Sequence, residues 1–291
     1  MKALVTADWH LRSTVPSCCT MSPDSWIDIQ EEALRKVEDI AVSEKVECIL
    51  HDGDLFHSEV TATNQVIQIP QRFSERMWHK GIPVYYLCGN HDLINHSSST
   101  LYRSAMGTFL NSKYVLNMKD CPYVKGCSFD EDDYSGYKMI AKHTLIIPSD
   151  SIPFGVTCDT PESILERYPE AQWIFTGDYH KNFHYEKDGR HVVNPGCLTR
   201  QASDFEDYVP GVYVVDTDSN TVTFHSVLVD QVFNSNGKEK KELDRTIEEF
   251  AMSIKKQDVT LDYVTSLRNE ARNHEKPVQE KVEEWITGSG Q

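Results

Sequence analysis

The chain has 291 residues, which suits one large α/β domain with an appendage or two domains, and its 39% hydrophobic content is enough for a full core. Its longest apolar runs are strand-sized, far below the roughly 18–20 residues that cross a membrane, and the N-terminus shows no signal peptide, so we expect a cytoplasmic protein without a membrane segment. The net charge of −16 argues against tight binding of a polyanion unless bound cations or a basic partner supply positive charge.

The first half of the sequence alternates strand and helix patterns. The strand patterns cover residues 2–7, 46–50 and 83–88. Between them, Ser22 followed by Pro23 predicts the start of one helix. A second helix is predicted over 63–80, and Pro70 should start, kink or split it. This β-α-β-α-β succession predicts a parallel sheet with covering helices.

The second half of the sequence consists mostly of short strand patterns. They cover residues 139–143, 173–176, 183–185, 191–193, 212–215 and 222–229. Asp188-Gly189 predicts a hairpin turn between two of them. We expect these strands to form a second sheet packed on the first. From about Lys238 the composition becomes charged, and segments 238–257 and 261–287 predict two or three helices.

Two kinds of pattern are missing from the sequence. There is no GxxxxGK[ST] or GxGxxG loop, which argues against nucleotide-driven chemistry in this chain. The eight cysteines form no CxxC pair and have no zinc-ribbon spacing, so we expect free thiols in a reducing compartment.

Four short polar clusters each follow a predicted strand. They are Asp8-Trp9-His10, Gly53-Asp54-Leu55-Phe56-His57, Gly89-Asn90-His91-Asp92 and Gly177-Asp178-Tyr179-His180. Ligands of open α/β sheets bind beyond the carboxyl ends of the strands, so we expect all four clusters to converge there, with His143 as a fifth contributor. Each cluster alone has an ordinary structural explanation, such as a tight turn for Gly-Asn. Of His51, His57 and His96, which all lie near these clusters, only His57 is expected to act.

The residue types in these clusters are typical of a dinuclear metal site. Carboxylate, imidazole and amide oxygen ligands suit manganese, iron, zinc or magnesium. A carboxylate such as Asp54 can bridge two cations about 3.5–4 Å apart. Such a pair activates water and neutralises the oxygens of a phosphoryl group. The residues therefore predict a two-metal phosphoesterase.

In their order along the chain, these motifs resemble those of the calcineurin-like metallophosphoesterases, from Met1 to about Asp230. The GDLFH motif and Asn194-Pro195-Gly196 are similar to the DNA-repair exonuclease branch, the SbcD-type nucleases with their phage relatives. The resemblance implies a four-layer α/β fold, in which a sandwich of two mixed sheets is flanked by helices, over residues 1–235. A short helical segment over 236–291 would follow.

The same resemblance implies a function and partners. It implies a DNA exonuclease that uses two divalent cations, usually manganese, with magnesium, iron or zinc as alternatives. It implies an SMC-like ATPase as partner and leaves a homodimer open. For a phage-encoded chain, the compartment would be the host cytoplasm.

The resemblance also assigns site residues by position. One metal would be held by Asp8, His10, Asp54 and His180, and the other by Asp54, Asn90, His143 and Asp178. His91 would act on the leaving group, Asp92 would orient the ring of His91, and His57 would assist near the scissile phosphate. Asp178 departs from the family, which usually has GHxH where this chain has GDYH. Because Asp is anionic and harder than His, that exchange should favour manganese or magnesium.

Two other functions compete with a DNA nuclease. The first is a phosphodiesterase or phosphoprotein phosphatase for smaller substrates on the same fold, which the acidic net charge favours. The second is a non-catalytic interaction module, which the complete ligand set and His91 disfavour. The helical tail, only about fifty residues long, either packs back on the main domain or docks a partner helix.

Overall fold

The computed structural model describes residues 1–58, 62–126, 129–130, 132, 134–153, 156–233, 276 and 279. The chain divides into two compact units. The first comprises Met1–Pro16, Thr20–Arg200 and Asp207–Val232; the second includes Ser17–Cys19, Gln201–Glu206 and Phe233. The helices predicted over 238–257 and 261–287 lie outside the described residues, apart from positions 276 and 279.

The strands and α-helices whose bounds are described belong to the first unit. In its first half these are β1 (Lys2–Thr6), α1 (Pro23–Ser43), β2 (Cys48–His51), α2 (Asn64–His79), β3 (Val84–Tyr86), α3 (Ala105–Leu110) and β4 (Leu116–Asn117). There follow β5 (Lys125–Gly126), β6 (Met139–His143), α4 (Pro161–Arg167), β7 (Trp173–Gly177), β8 (Phe183–Lys187), β9 (Arg190–Asn194), β10 (Gly211–Asp216) and β11 (Thr221–Ser226). Short 3-10 turns at Asn90–Asp92, Ile94–His96 and Ser98–Arg103 connect β3 to α3.

Each of the two long helices begins directly after a polar N-cap residue, Ser22 for α1 and Thr63 for α2. Helix α1 starts at Pro23, and the side chain of Ser22 accepts a hydrogen bond from the backbone of Ser25 at 3.1 Å, as the sequence predicted. Helix α2 runs through Pro70 as one helix, so the expectation that this proline would start or split it is wrong. Pro70 is buried on the face of α2 that packs on the core, and that packing offsets the hydrogen bond that a proline cannot donate.

The strands form two mixed sheets. The first has the order β11-β10-β1-β2-β3-β4, in which β1 to β4 are parallel to one another and β10 is antiparallel to both of its neighbours, β1 and β11. The second has the order β5-β6-β7-β9-β8, with only β8 antiparallel. The parallel β1-β2-β3 core and the two mixed sheets confirm the predicted fold class.

One expected pairing is wrong. The patterns at 212–215 and 222–229 were expected in the second sheet, but β10 pairs antiparallel with β1 in the first, with Val5 opposite Tyr213. Strand β10 is buried over most of its length and covers the side of β1 that β2 leaves open. Strand β11, which ends at Ser226, then forms the sheet edge.

The first unit has four layers. The core between the sheets contains Ala3, Val5 and Leu50 of the first sheet and Phe175 and Val193 of the second. Helices α1, α2 and α3 cover the other face of the first sheet, and α4 covers the other face of the second. The sequence of layers is therefore helix, sheet, sheet, helix. Among the described residues, no helix is both long enough and apolar enough to cross a bilayer, and the seven described cysteines are thiols and not disulfides.

Candidate metal centre

The loops that follow β1 and β2 stay paired beyond the ends of the strands. The backbone N–H of Asp8 donates to the carbonyl of Gly53, and that of His10 donates to the carbonyl of Asp54, both at 3.0 Å. Parallel strands end at the same edge of a sheet, so these bonds hold Asp8, His10 and Asp54 side by side.

Four of the predicted ligands adopt left-handed backbone conformations that residues other than glycine rarely adopt. The φ angles are 50° at Asp8, 43° at His10, 54° at Asp54 and 76° at Asp178. Each such conformation costs about 1–3 kcal/mol and persists only where the surrounding structure enforces it, most often at functional sites. Four of the nine described non-glycine residues with positive φ are therefore predicted metal ligands.

Glycines beside the ligands make the close approach possible. A Cβ at Gly53, where φ is +94°, would lie 2.3 Å from Nδ1 of His143, and a Cβ at Gly89 would lie 2.2 Å from Oδ1 of Asp54. Both distances are far below van der Waals contact, so any side chain at either position would displace a predicted ligand.

The structure brings most of the predicted ligands into two overlapping groups. Asp8, His10 and His180 form one, and Asp8, Asp54 and His143 form the other. Within each group the potential ligand atoms all lie within 4.8 Å of one another. Asp8 thus stands in both groups, although the resemblance assigned it to one metal only.

The carboxylate of Asp54, a member of the second group, also lies next to His10 of the first. Its Oδ2 is 3.6 Å from Nε2 of His10 and 3.3 Å from Nε2 of His143, while its Oδ1 accepts a hydrogen bond from the backbone of His91 at 2.9 Å. Oδ2 is fully buried and accepts no hydrogen bond from the described residues. A buried carboxylate oxygen without a donor is costly in an apolar interior, and a cation on each side would satisfy it.

The ring of His143 has one possible orientation for metal binding. Its Nδ1 lies 2.6 Å from the carbonyl oxygen of Asp52, which can only accept, so Nδ1 carries the hydrogen. Nε2 then points at the site, 3.0 Å from Oδ1 of Asn90. A carbonyl that fixes the far nitrogen of a ligating histidine is the usual arrangement in metalloproteins.

Asp178 lies at the site but in neither group of ligand atoms. Its backbone N–H donates to both carboxylate oxygens of Asp8 at 3.1 Å. Its negative charge is one of those that raise the pKa of His143 against the effect of burial, whereas burial lowers the pKa of His180. The structure therefore gives Asp178 a role in orienting Asp8, and its role as a ligand stays a prediction.

Electrostatics of the cluster favour cation binding. Burial raises the pKa of Asp8 and lowers that of His10. Burial alone would raise the pKa of Asp54 and lower that of His143, but the charge that each carries next to the other reverses both directions. So many acidic groups cannot all be ionised in a dry site without counter-charges. The donor set of carboxylates, imidazoles and one amide oxygen fits two divalent cations of the hard or borderline class.

His91 and Asp92 have different neighbours from those expected. The carboxylate of Asp92 accepts hydrogen bonds from the backbone of Leu55, Phe56 and Gly89 at 3.0–3.2 Å, which ties the loop after β2 to that after β3. Nδ1 of His91 lies 3.2 Å from the carbonyl oxygen of His57. The expectation that Asp92 orients the ring of His91 is therefore wrong: the carbonyl of His57 orients it, because the Asp92 carboxylate is taken up by the two loops.

His57 has a partner that the sequence did not suggest. Its Nε2 lies 2.9 Å from Nη1 of Arg12, and a guanidinium can only donate, so Nε2 accepts and Nδ1 carries the hydrogen. Burial and the charge of Arg12 lower the pKa of His57 to about 4. The ring is thus neutral, and it stacks beside His91 with 6.1 Å between ring centroids. The only local feature of the sequence that indicates this contact is the basic residue Arg12, two positions after His10 of the first motif.

The turn after β9 holds the loop that carries His180. The amide of Asn194 donates to the carbonyl oxygens of Tyr179 at 2.5 Å and Lys181 at 2.8 Å. The backbone N–H of Cys197 donates to the carbonyl of His180 at 3.0 Å. The Asn194-Pro195-Gly196 motif therefore acts on the site by fixing the backbone around a predicted ligand.

Three further polar residues near the motifs lie outside the cluster. His51 is fully buried between Trp9 and Tyr86 in the core, and burial lowers its pKa to about 3. His96 is exposed. Asp52 is fully buried with no hydrogen-bond partner for either carboxylate oxygen among the described residues, and burial raises its pKa to about 8.

Comparisons with known proteins identify the family of the chain. The model of the family "Calcineurin-like phosphoesterase" matches residues 1–187, whereas no curated protein sequence matches the chain. Among solved structures, a protein of Thermus thermophilus is 13% identical with a TM-score of 0.45, covering 78% of this chain and 99% of its own. An archaeal phosphodiesterase is 15% identical with a TM-score of 0.39, covering 78% of this chain and 99% of its own. A dimetal phosphatase from Danio rerio is 9% identical with a TM-score of 0.47, covering 80% of this chain and 99% of its own. Because the family model matches more than half of its residues, the chain belongs to the calcineurin-like phosphoesterase family.

Proposed function

We propose that this chain hydrolyses phosphodiester bonds in DNA with the help of two divalent cations, as an exonuclease. The observation that carries the hydrolytic part is the buried Oδ2 of Asp54, which lies between His10 and His143 and has no donor among the described residues. Family membership supports the same chemistry. The resemblance of GDLFH and Asn194-Pro195-Gly196 to the DNA-repair exonuclease branch supports DNA as the substrate.

The chain would hold the cations with the ligands that its loops bring together. Asp8, His10, Asp54 and His180 would bind one, and Asp54, Asn90, His143 and Asp178 the other, with manganese as the proposed metal. When bound, the cations activate water and neutralise the charge of the phosphoryl oxygens. The protein supplies the fixed positions, which the strained loop backbones and the Asn194 turn maintain.

His91 is the residue we assign to the leaving group. Its Nδ1–H is committed to the carbonyl of His57, so only Nε2 can face a substrate. A ring protonated at both nitrogens would donate its Nε2 proton to the departing oxygen, which otherwise leaves as an unstable anion. His57, neutral and hydrogenated at Nδ1, would donate a hydrogen bond nearby without exchanging a proton.

The acidity of the chain bears on how DNA would be held. A net charge of −16 argues on electrostatic grounds against strong DNA binding by the isolated chain. We therefore propose an SMC-like ATPase as partner in the cytoplasm, docked through the tail at 238–287. Deleting residues 238–291 should abolish that complex but preserve metal binding. Nanomolar DNA affinity of the isolated chain in physiological salt would contradict the docking proposal.

The same net charge favours one alternative, a phosphodiesterase or phosphatase for smaller phosphoesters. A direct comparison separates the two functions: hydrolysis of linear DNA and of bis(p-nitrophenyl) phosphate, with manganese and with excess chelator, alone and with a candidate ATPase. We expect both substrates to be hydrolysed with manganese only, and DNA faster with the partner. Hydrolysis of the small diester without any DNA cleavage would overturn the DNA assignment in favour of the alternative.

A matched pair of variants tests whether the site is responsible. Asp54→Asn should abolish hydrolysis of both substrates. Asp188→Asn makes the same change at a residue with the same φ of 54°, but in the exposed turn between β8 and β9. That control should retain full activity. Equal activity of the two variants would contradict the assignment of Asp54.

A further inference from the structure

The loop after the first motif holds a rigid cation at the rim of the metal centre. The backbone of Arg12 is clamped by one side chain: Gln30 of α1 accepts from the N–H of Arg12 and donates to its carbonyl, both at 2.9 Å. Gln30 is almost fully buried and also donates to the carbonyl of Trp26 at 3.2 Å. A buried amide that satisfies both backbone groups of one residue fixes that residue's position in the loop.

The guanidinium of Arg12 is fixed as well. Its Nε donates to the carbonyl and the hydroxyl of Thr14 at 2.8 and 3.1 Å. Nη2 donates to the carbonyl of Val15 at 3.3 Å, and Nη1 donates to Nε2 of His57 at 2.9 Å. Contacts at all three nitrogens set the plane of the group, so little side-chain entropy remains to be lost on ligand binding.

The position of this cation relates it to the substrate. The ring of His57, which receives a hydrogen bond from Arg12, lies 5.8 Å from the ring of His10 and 6.1 Å from that of His91, measured between centroids. The ring of His57 therefore separates the guanidinium of Arg12 from the metal centre. A partly buried, permanent positive charge at that distance suits a second phosphate, and guanidinium is the side chain best matched to phosphate oxygens.

We propose that Arg12 binds the phosphate adjacent to the scissile one in a nucleic-acid strand and thereby favours substrates with more than one phosphodiester. This inference rests on the proposed function, since it requires a strand in the site. It also explains how a chain with a net charge of −16 can engage a polyanion: the positive charge is local and preorganised.

A purely structural role for Arg12, as a support for His57, makes a different prediction. Loss of such a support would weaken substrate binding or turnover to the same extent at every salt concentration. Loss of a phosphate contact lowers the salt dependence itself, because fewer counterions are released on binding. The slope of affinity against salt therefore distinguishes the two roles.

The test measures binding of a fluorescein-labelled single-stranded oligonucleotide by anisotropy to the full, manganese-loaded chain over a series of salt concentrations, in a His91→Ala background that slows hydrolysis. Arg12→Met should lower the slope of log K against log salt by about 0.7, the value for one phosphate contact on a single strand. Arg12→Lys keeps the charge and should keep the slope. Arg35→Met removes an arginine whose side chain is 62% exposed on α1 and should leave the slope unchanged.

A second measurement needs no variant. The wild-type chain with manganese should hydrolyse a trinucleotide with two phosphodiesters more efficiently than a dinucleotide with one, by roughly 10–100-fold in kcat/KM, the range expected for a charged hydrogen bond. Equal efficiency on the two substrates, or an unchanged salt slope in a folded Arg12→Met variant, would overturn the proposed role of Arg12 but not the proposed DNA function. Cleavage of neither substrate, with hydrolysis of bis(p-nitrophenyl) phosphate intact, would overturn the DNA function itself.

Discussion

Asn194 offers the sharpest test of how the fold supports the metal centre. It ends β9 fully buried, and its amide donates to the two carbonyls that flank His180 in the chain. Asn194→Ala removes both donors. Each lost hydrogen bond costs about 0.5–1.5 kcal/mol, and each carbonyl left buried without a donor costs about 1–3 kcal/mol. Because these carbonyls are only partly buried, we expect a total loss of roughly 2–4 kcal/mol.

Two assays separate the effect on stability from that on the site. Urea unfolding of the metal-free protein should show the loss of free energy, and calorimetric titration with manganese should show one weakened site, the one that contains His180. Asn182→Ala is the control: Asn182 lies in the same loop as His180, but its amide donates to the exposed carbonyl of Val209, outside that loop, at 2.9 Å. That variant should change the unfolding free energy by less than about 1 kcal/mol.

The outcome that would refute this reasoning is a stable Asn194→Ala protein that binds two manganese ions as tightly as the wild type. Asn194→Asp provides a second check. An ionised carboxylate has no hydrogen to donate and would face two carbonyl oxygens, so it should destabilise the loop at least as much as alanine does.

Three further predictions concern single residues. His91→Ala should retain both metals but hydrolyse bis(p-nitrophenyl) phosphate about 10²–10⁴-fold more slowly; loss of a metal instead would make His91 a ligand. Asp178→Ala should weaken one manganese site in a calorimetric titration, and Asp178→His should restore it with a changed metal preference; unaltered binding in the alanine variant would exclude Asp178 as a ligand. Burial raises the pKa of Asp52 from 3.8 unfolded to about 8 folded, so the folded metal-free state holds more protons and its stability falls as pH rises from about 4 to 8. At about 1.36 kcal/mol per pH unit, Asp52→Asn should recover up to roughly 4 kcal/mol at pH 7 in urea unfolding; parallel stability profiles of variant and wild type across that pH range would contradict the assignment.

Much of the fold and the site could be predicted because the signals are local. Strands β1, β2, β6 and β7 appear as apolar runs that end in or are soon followed by their polar ligands, so a single stretch of sequence carries both. Ser22 and Pro23 predict the start of α1. The glycines at 53 and 89 precede ligands because only they permit the approach to His143 and Asp54.

The remainder depends on contacts between distant parts of the chain. Strand β10 follows β9 in sequence, yet it pairs with β1 of the other sheet, a choice that no local pattern encodes. Strands β4 and β5 have two residues each, too few to show a period. The contact of Arg12 with His57 spans 45 positions, and that of Gln30 with Arg12 spans 18. Such side chains look like ordinary surface or helix residues until the fold places them.

Manganese titration followed by electron paramagnetic resonance tests the central claim most directly, namely that two cations share Asp54. The wild-type chain should bind two equivalents and give a spin-coupled signal, since a shared carboxylate holds the ions about 3.5–4 Å apart. Asp54→Ala should lose both equivalents, while Asp188→Asn should match the wild type. Binding of a single uncoupled ion by the wild type, or a coupled pair in Asp54→Ala, would contradict the account.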